Sequence, residues 1–137
     1  MIKHLTNEAK AYLESHEQFI QDLLFELCAI PSPSNHEELR AEFIKNWLEK
    51  LGCEGVYVDD ALNVVYPYQC EGKNDVLCVM AHTDTVFPDM EPFSVKVDGN
   101  IAACPGIGDD TANAVALLTV AGYLAKTGLT PADGGLL

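Results

Sequence analysis

Basic residues are scarce in this sequence. Only 8 Lys and Arg stand against 21 Asp and Glu, which gives a formal net charge of −13. A phosphate backbone is repelled by such a charge, and no basic run offers a local exception. Nucleic acid is therefore not an expected partner. The acidic balance fits either a solubilising surface or a site that attracts cations, and charge alone does not choose between the two.

Paired cysteines and long apolar runs are also missing. The five cysteines lie far apart and form no Cys-x-x-Cys pair of the kind found in zinc ribbons and redox sites, so we expect free, buried thiols. No run approaches the roughly 20 apolar residues that span a bilayer, and residues 1–6 lack the apolar stretch of a secretory signal. These absences predict a cytoplasmic protein with no membrane partner.

The chain does contain three stretches with the apolar spacing of amphipathic helices. The first runs from about Asn7 to Ala29 and must end before Pro31. The second begins after Ser34 and Glu37, which have the spacing of a capping box, and stops near Gly52. The third covers residues 111–126 and carries a narrow face of small residues that could lie close to a sheet. With 48% hydrophobic residues, the chain can bury the core of one domain.

Strand patterns lie between the second and third helices. Residues 55–58 and 63–68 predict two short strands joined by a turn, and residues 93–103 predict a hairpin that turns at Asp98-Gly99-Asn100. The continuous apolar run 75–81 is the best candidate for a central strand covered on both faces. Residues 130–135 signal a turn, after which Leu136 and Leu137 look like the start of another strand. The order of elements predicts an α/β class: a layered helix-sheet-helix domain with a mixed, mostly parallel sheet.

A histidine and an aspartate follow the candidate central strand. His82 and Asp84 are two residues apart, so both side chains project to one face if the strand continues through them. Asp84 could then bond the imidazole nitrogen that faces away from a metal and so fix the ring. A single His-x-Asp is weak evidence, since a strand-end histidine bonded to a loop has the same pattern.

Two adjacent aspartates precede the third helix. Asp109 and Asp110 follow Pro105-Gly106-Ile107-Gly108, and either carboxylate could cap the helix and interact with its positive end. A divalent cation would instead relieve the repulsion between the two charges. The histidine motif upstream favours the metal interpretation, while helix capping with no metal remains an alternative.

Together these motifs resemble a known family. His82-Thr83-Asp84-Thr85-Val86, with Pro105-Gly106-Ile107-Gly108-Asp109-Asp110 opening a helix, is similar to the two N-terminal signatures of the co-catalytic zinc exopeptidases and deacylases. That family includes peptidase T, bacterial glutamate carboxypeptidase, aminoacylase, acetylornithine deacetylase and succinyl-diaminopimelate desuccinylase. Residues 30–34 with Glu37, and Asn63, also resemble family positions, so the likeness covers nearly the whole chain.

The resemblance implies a role for each of these residues. His82 would ligate one metal, Asp84 would orient His82, and Asp109 would bridge two divalent metal ions, expected to be zinc. Asp110 would shape the site from beside the ligands, and its peptide bond to Asp109 is expected to be cis. The implied substrates are small peptides or N-acyl amino acids, with a homo-oligomer left open.

The sequence departs from the family in two ways. Thr111-Ala112-Asn113 stands where the family commonly has Lys-Gly-Gly, which puts the substrate assignment in doubt. The family's later Glu-Glu pair, one a general base and one a ligand, and its final histidine have no counterpart here. His4, His16 and His36 are expected to face solvent. A catalytic zinc needs three protein ligands and a base.

Two hypotheses about function follow. In the first, residues 1–137 are the N-terminal portion of a metallopeptidase or amidohydrolase catalytic domain, a fragment expected to be inactive alone. In the second, the chain is a non-catalytic interaction or scaffold domain that keeps the family fold and pairs with another chain through an exposed sheet edge.

Overall fold

A computed structural model describes residues 5–131 and 135–137. The helices in these ranges are α1 (Asn7–Ser15), α2 (Glu17–Ala29), α3 (Glu38–Lys50) and α4 (Ala112–Thr127). The strands are β1 (Tyr57–Val58), β2 (Val64–Val65), β3 (Val76–Leu77), β4 (Lys96–Asp98), β5 (Ile101–Ala103) and β6 (Gly135–Leu136). A kinked turn, Ile107–Thr111, leads into α4, and Asp109 and Asp110 within it have non-helical dihedral angles.

The strands form three short pairs. β1 and β2 are antiparallel, as are β4 and β5, and both pairs confirm the predicted hairpins. β3 and β6 are parallel, so the chain crosses over through α4 between them. Tyr68, beyond the end of β2, bridges antiparallel to Leu136, which gives β6 a neighbour on each side. The predicted α/β class is therefore confirmed.

The buried core lies where α2, α3 and α4 meet the β1–β2 hairpin. It is made of aliphatic side chains and one thiol: Leu23, Leu27, Ile44, Leu48, Cys53, Val56, Val115 and Leu118. Gly122 lets α4 approach its neighbours closely, because a Cβ there would lie 3.0 Å from Leu51 Cδ1 and 3.3 Å from the Tyr12 hydroxyl. The small-residue face of α4 thus packs at Gly122 against helical segments. Val115 and Leu118 on the same face share the core with Val56, and Val64 and Tyr66 of the hairpin region pack against that core, so the expected proximity to strands is also present.

The first predicted helix is broken in two, so the prediction of one helix from Asn7 to Ala29 was wrong. His16 leaves the helical region with φ −115° and ψ 11°. The Ser15 hydroxyl donates to the Tyr12 carbonyl at 2.9 Å, and His16 Nδ1 lies 2.8 Å from the same oxygen. Side chains that take up a backbone carbonyl in this way compete with the helix. α1 buries no residue, whereas α2 buries Leu23, Leu27 and Cys28.

The predicted capping box at Ser34 and Glu37 was also wrong. α3 begins at Glu38, and its N-cap residue Glu37 makes no capping bond. Glu37 Oε1 instead accepts from the Asn35 amide at 2.6 Å, and Ser34 donates to Asp84. The buried face of α3 consists of Arg40, Ala41, Ile44 and Leu48. The predicted stop at Gly52 is confirmed, with φ +86° just after the helix.

The apolar run 75–81 is not a strand covered on both faces, and this prediction was wrong. Only Val76 and Leu77 form a strand, and both are exposed. Met80 is 80% exposed, although it belongs to the most apolar segment of the sheet region. Burial depends on neighbouring elements, and β6 offers only a few residues beside this run. The result is an exposed apolar edge.

Three remaining predictions concern termini, thiols and membranes. Ala132, Asp133 and Gly134 of the predicted turn, and His4, lie outside the described residues. All five thiols are free as expected, but only Cys28 and Cys53 are buried. Within the described part of the chain, no helix has both the length and the apolar character that a bilayer crossing requires.

Candidate metal centre

The segment that carries His82 is anchored to the residues just before α3. The Thr85 amide donates to the Ser32 carbonyl at 2.7 Å, and Thr85 bridges parallel to Pro33. Thr85 is buried, and so are Ser32 and Pro33, so this contact fixes the end of the segment. His82 and Asp84 therefore lie on a stretch held from a part of the chain about fifty residues away.

The His82 ring lies between two aspartates. Its Nε2 is 3.1 Å from Asp109 Oδ1, and its Nδ1 is 3.1 Å from Asp84 Oδ1 and 3.2 Å from the Asp84 carbonyl. The hydrogen bond with Asp109 is the main cause that raises the pKa of His82, while partial burial opposes it. The sequence-predicted residues His82, Asp84 and Asp109 are thus brought together around one imidazole.

Asp84 is itself held in place. The Ser34 hydroxyl donates to Asp84 Oδ2 at 2.5 Å, while the other oxygen, Oδ1, faces His82. This hydrogen bond from Ser34 is the largest cause that lowers the pKa of Asp84. Both carboxylate oxygens are therefore occupied, which fixes the direction from which Asp84 meets the imidazole. Sequence reasoning missed Ser34, because its spacing to Glu37 indicated a helix cap.

Asp109 and Asp110 point to different partners. Their peptide bond is cis, as the resemblance predicted. Asp110 Oδ2 accepts from the His82 amide at 3.2 Å, and its other oxygen accepts from the Asn113 side chain. Asp109 is 94% exposed at its side chain and touches His82 from the solvent side. No side chain caps α4 at its N-cap residue, Thr111, so helix capping does not explain the pair.

Gly106 allows the 105–110 loop, which carries Asp109 and Asp110, to lie against the segment that carries His82 and Asp84. It adopts φ +72°, and a Cβ at this position would lie 2.6 Å from Thr85 Cγ2. Real Cβ atoms do not approach so closely, so only glycine lets the 105–110 loop lie against Thr85. The same glycine directly precedes the kinked turn that presents the aspartates.

A buried arginine lies beneath the centre. Arg40 is 2% exposed and donates from Nε to the Ile30 carbonyl and from Nη1 to the Thr83 carbonyl, each at 2.9 Å. Nη1 also lies 3.2 Å from the Thr111 hydroxyl. Burial lowers the pKa of Arg40. Its second terminal nitrogen, Nη2, has no partner in the described structure.

Arg40 thus ties the end of α2 to the two loops that carry the aspartates. Sequence reasoning missed it, although a signal was present. Arg40 precedes Ile44 and Leu48 by four and eight residues, on the face of α3 that the apolar spacing assigns to the core. A charged residue at such a position is rarely buried without a specific partner.

The donor set fits part of a metal site. Two ligands about 2.0–2.2 Å from one zinc ion in tetrahedral geometry lie roughly 3.3–3.6 Å apart. His82 Nε2 and Asp109 Oδ1 are 3.1 Å apart, so a separation of a few tenths of an ångström would let both contact one ion. Asp84 supplies the carboxylate that commonly bonds the far nitrogen of a metal-ligating histidine. Across residues 5–131 and 135–137, no group of three or more ligand-type side chains is arranged to hold an ion. A metal site built on His82 and Asp109 would therefore need at least one further ligand.

Comparison with known proteins assigns the class. Residues 63–136 match the model of peptidase family M28. The match covers more than half of the chain and includes His82 and both aspartates that its ring bonds, Asp84 and Asp109. The chain therefore belongs to peptidase family M28, and the predicted resemblance to exopeptidases of the peptidase T kind is confirmed.

The fold is also similar to a solved structure, that of aminopeptidase PepT from Bacillus cereus. The TM-score is 0.66 at 18% sequence identity, over 88% of this chain and 35% of that one. At this identity the likeness shows the fold alone, and this chain spans about a third of the length of that aminopeptidase. No curated protein matches the chain.

Proposed function

We propose that this chain contributes the first half of a two-metal centre that hydrolyses peptide or N-acyl amide bonds in small substrates. One observation carries the proposal: a single imidazole contacts Asp109 through Nε2 and Asp84 through Nδ1, each at 3.1 Å. Membership of a peptidase family supports it. The remaining ligands and the general base must come from residues other than these three.

Each side chain has a separate task. His82 and Asp109 would hold a divalent ion, with zinc the best match to imidazole and carboxylate donors. Such an ion polarises a scissile carbonyl and lowers the pKa of bound water. Asp84 keeps the His82 ring oriented with Nε2 outward, because Ser34 holds the other carboxylate oxygen. Asp109, exposed on its outer side, is free to reach a second ion.

The compartment and the substrate belong to the same proposal. Five free thiols favour a reducing compartment such as the cytoplasm. Small peptides or N-acyl amino acids are the proposed substrates. The net charge of −13 disfavours nucleic acid as a partner.

Metal binding by the chain itself tests the site. Calorimetric titration with Zn²⁺ is expected to detect one weak site, and His82→Ala or Asp109→Ala should weaken it at least about tenfold, as loss of a ligand requires. Asp98→Ala is the matched control, because Asp98 is an exposed carboxylate on β4. Equal affinity in all four proteins would contradict the site.

Activity is tested separately with the full polypeptide that carries this chain. Hydrolysis of di- and tripeptides and of N-acyl amino acids should stop when a chelator is added. Full activity in Asp109→Ala would contradict the catalytic role.

The second hypothesis, a non-catalytic interaction domain, is favoured by the exposed apolar residues of the 76–80 run, chiefly Leu77 and Met80. Zinc binding without hydrolysis of any of these substrates would support it.

A further inference from the structure

Two of the five thiols meet beneath the candidate metal centre. Cys28 lies in the last turn of α2 and is 0% exposed, whereas Cys104 is partly exposed and follows β5 directly. The Cys104 thiol donates to the Cys28 carbonyl, with 3.8 Å between the sulfur and the oxygen. The two cysteines therefore join the end of α2 to the start of the loop that carries Asp109.

The two sulfur atoms also interact with each other. Burial raises the pKa of both thiols, to about 11 for Cys28. A hydrogen bond between the thiols adds to the raised pKa of Cys28 and lowers that of Cys104, which is the pattern of a Cys28 S–H that donates to the Cys104 sulfur. Of the two, Cys104 is therefore the thiol whose ionised form is stabilised by its neighbour.

Arg40 contributes a positive charge to the same cluster. Its charge lowers the pKa of both thiols and so opposes the effect of burial. Within the described part of the chain, the guanidinium bonds three neutral oxygens, and its Nη2 bonds none. A buried cation that is not paired with a carboxylate favours an anion nearby. Cys104 is a partly exposed group beside it that can become one.

We infer that Cys104 and Cys28 form a reversible disulfide when the folded protein meets a peroxide. The Cys104 thiolate attacks one peroxide oxygen and the O–O bond breaks, so that Cys104 becomes a sulfenic acid. The other oxygen leaves as hydroxide, which takes up the proton released by the thiol and becomes water. The Cys28 sulfur then attacks the Cys104 sulfur and breaks its S–O bond, and the hydroxyl leaves with the Cys28 proton as a second water. The two sulfurs lose two electrons, which reduce the peroxide.

The position of Cys104 links this disulfide to the metal loop. The Ile107 amide donates to the Cys104 carbonyl at 3.2 Å, so Cys104 lies at the base of the turn that presents Asp109. A covalent bond brings two sulfurs closer than a hydrogen bond holds them, so the disulfide draws this base towards α2. Oxidation should therefore weaken zinc binding by about tenfold, the scale of changes just outside the ligands. This last step rests on the proposed function.

Peptide mapping by mass spectrometry tests the disulfide in the chain itself. Hydrogen peroxide should give a peptide linked between Cys28 and Cys104, and dithiothreitol should reverse the link. This link should be the main disulfide of the folded protein, and its share should fall at least about fivefold in urea, where the long loop between the two cysteines closes rarely. The comparison of folded and unfolded protein needs no variant.

Three variants sharpen the assignment. Cys104→Ser should abolish the linked peptide, whereas Cys28→Ala should leave Cys104 as a sulfenic acid that dimedone traps. Cys70→Ser is the matched control, because Cys70 is also partly exposed but lies beside the Tyr68 and Leu136 carbonyls. It should leave the link unchanged. Circular dichroism verifies that each variant is folded.

The outcomes separate the disulfide from the metal. An equal share of the link in folded and unfolded protein overturns the inference, and so does oxidation of Cys104 to sulfinic acid with no linked peptide. A linked peptide with unchanged zinc affinity overturns the effect on the metal loop. Absence of zinc binding in the reduced protein would contradict the proposed function and leave the test of the disulfide intact.

Discussion

The helical layer and the sheet layer of this molecule carry similar apolar residues with opposite outcomes. Leu23 and Leu27 on α2 are 2% and 1% exposed, whereas Leu77 and Met80 beside β6 are 63% and 80% exposed. Side-chain chemistry is therefore not what separates the two layers. α2, α3 and α4 cover one another together with the β1–β2 hairpin, while residues 76–80 have few neighbours. We therefore expect the helical layer to supply most of the free energy of folding, and the candidate metal centre lies where the two layers meet.

Among the variants that test this comparison, Leu27→Ala is expected to have the largest effect on stability. The side chain is fully enclosed by the core, so truncation removes its burial and leaves a cavity. We expect the free energy of unfolding to fall by about 2–5 kcal/mol. Urea denaturation followed by circular dichroism measures the change. A loss below about 0.5 kcal/mol would mean that the helical layer is not the stabilising one.

Arg40→Met is expected to have the next largest effect. It keeps an unbranched apolar side chain as far as the position of Nε but leaves the Ile30 and Thr83 carbonyls without their buried donor. Unpaired buried groups cost about 1–3 kcal/mol. Part of this cost is offset because the variant no longer buries a charge. Zinc affinity should fall as well, because Thr83 lies between His82 and Asp84. Arg40→Lys is the control: it retains the charge but loses the planar donors, so affinity lost equally in both variants would identify geometry as the cause.

The pH dependence of the free energy of unfolding tests the helical layer through Cys28. We expect an effect between those of Arg40→Met and Leu77→Ala. Burial raises the pKa of the Cys28 thiol to about 11. A raised pKa stabilises the neutral thiol in the folded state, so this contribution is fully present below the unfolded pKa and is lost as pH rises towards 11. The free energy of unfolding should therefore fall between about pH 9 and pH 11. In Cys28→Ala the fall should be smaller, and an unchanged slope would contradict the assignment.

Leu77→Ala should have the smallest effect. Leu77 is mostly exposed, so we expect a change within about 0.5 kcal/mol, typical of surface positions. The same urea measurement sets this value beside that for Leu27→Ala. A large loss at Leu77 would show that the short β3–β6 pair contributes more than its burial indicates.

Much of this fold could be predicted from apolar spacing, and the failures share a cause. The periods of α2, α3 and α4 are visible because each buries one face. The break at His16 is not visible, because it depends on side chains that bond the Tyr12 carbonyl. Ser34 has the spacing of a helix cap but finds Asp84, fifty residues along the chain. Exposure of residues 76–80 depends on neighbours, which no property of the segment itself records.

The residues of the candidate site were easier to predict from the sequence than the residues that hold them in place. His82, Asp84, Asp109 and Asp110 all follow from the motifs, and the structure brings them together. Their supporting residues, Ser34, Arg40 and Gly106, act through contacts between segments distant in sequence. The apolar spacing of α3 marks Arg40 as a buried position, but the partners of all three residues become visible only once the chain is folded. Short motifs report the chemistry of a site, whereas its rigidity comes from residues elsewhere.

The guanidinium of Arg40 contacts the end of α2, the His82 loop and the start of α4 at a single point. The ligand geometry and the packing of the helices are therefore linked thermodynamically. A cation that binds only the folded form stabilises it by mass action, by about 2.7 kcal/mol at a hundred times its dissociation constant. Unfolding of the helical layer should therefore report occupancy of the proposed metal centre, whose residues lie outside the four α-helices.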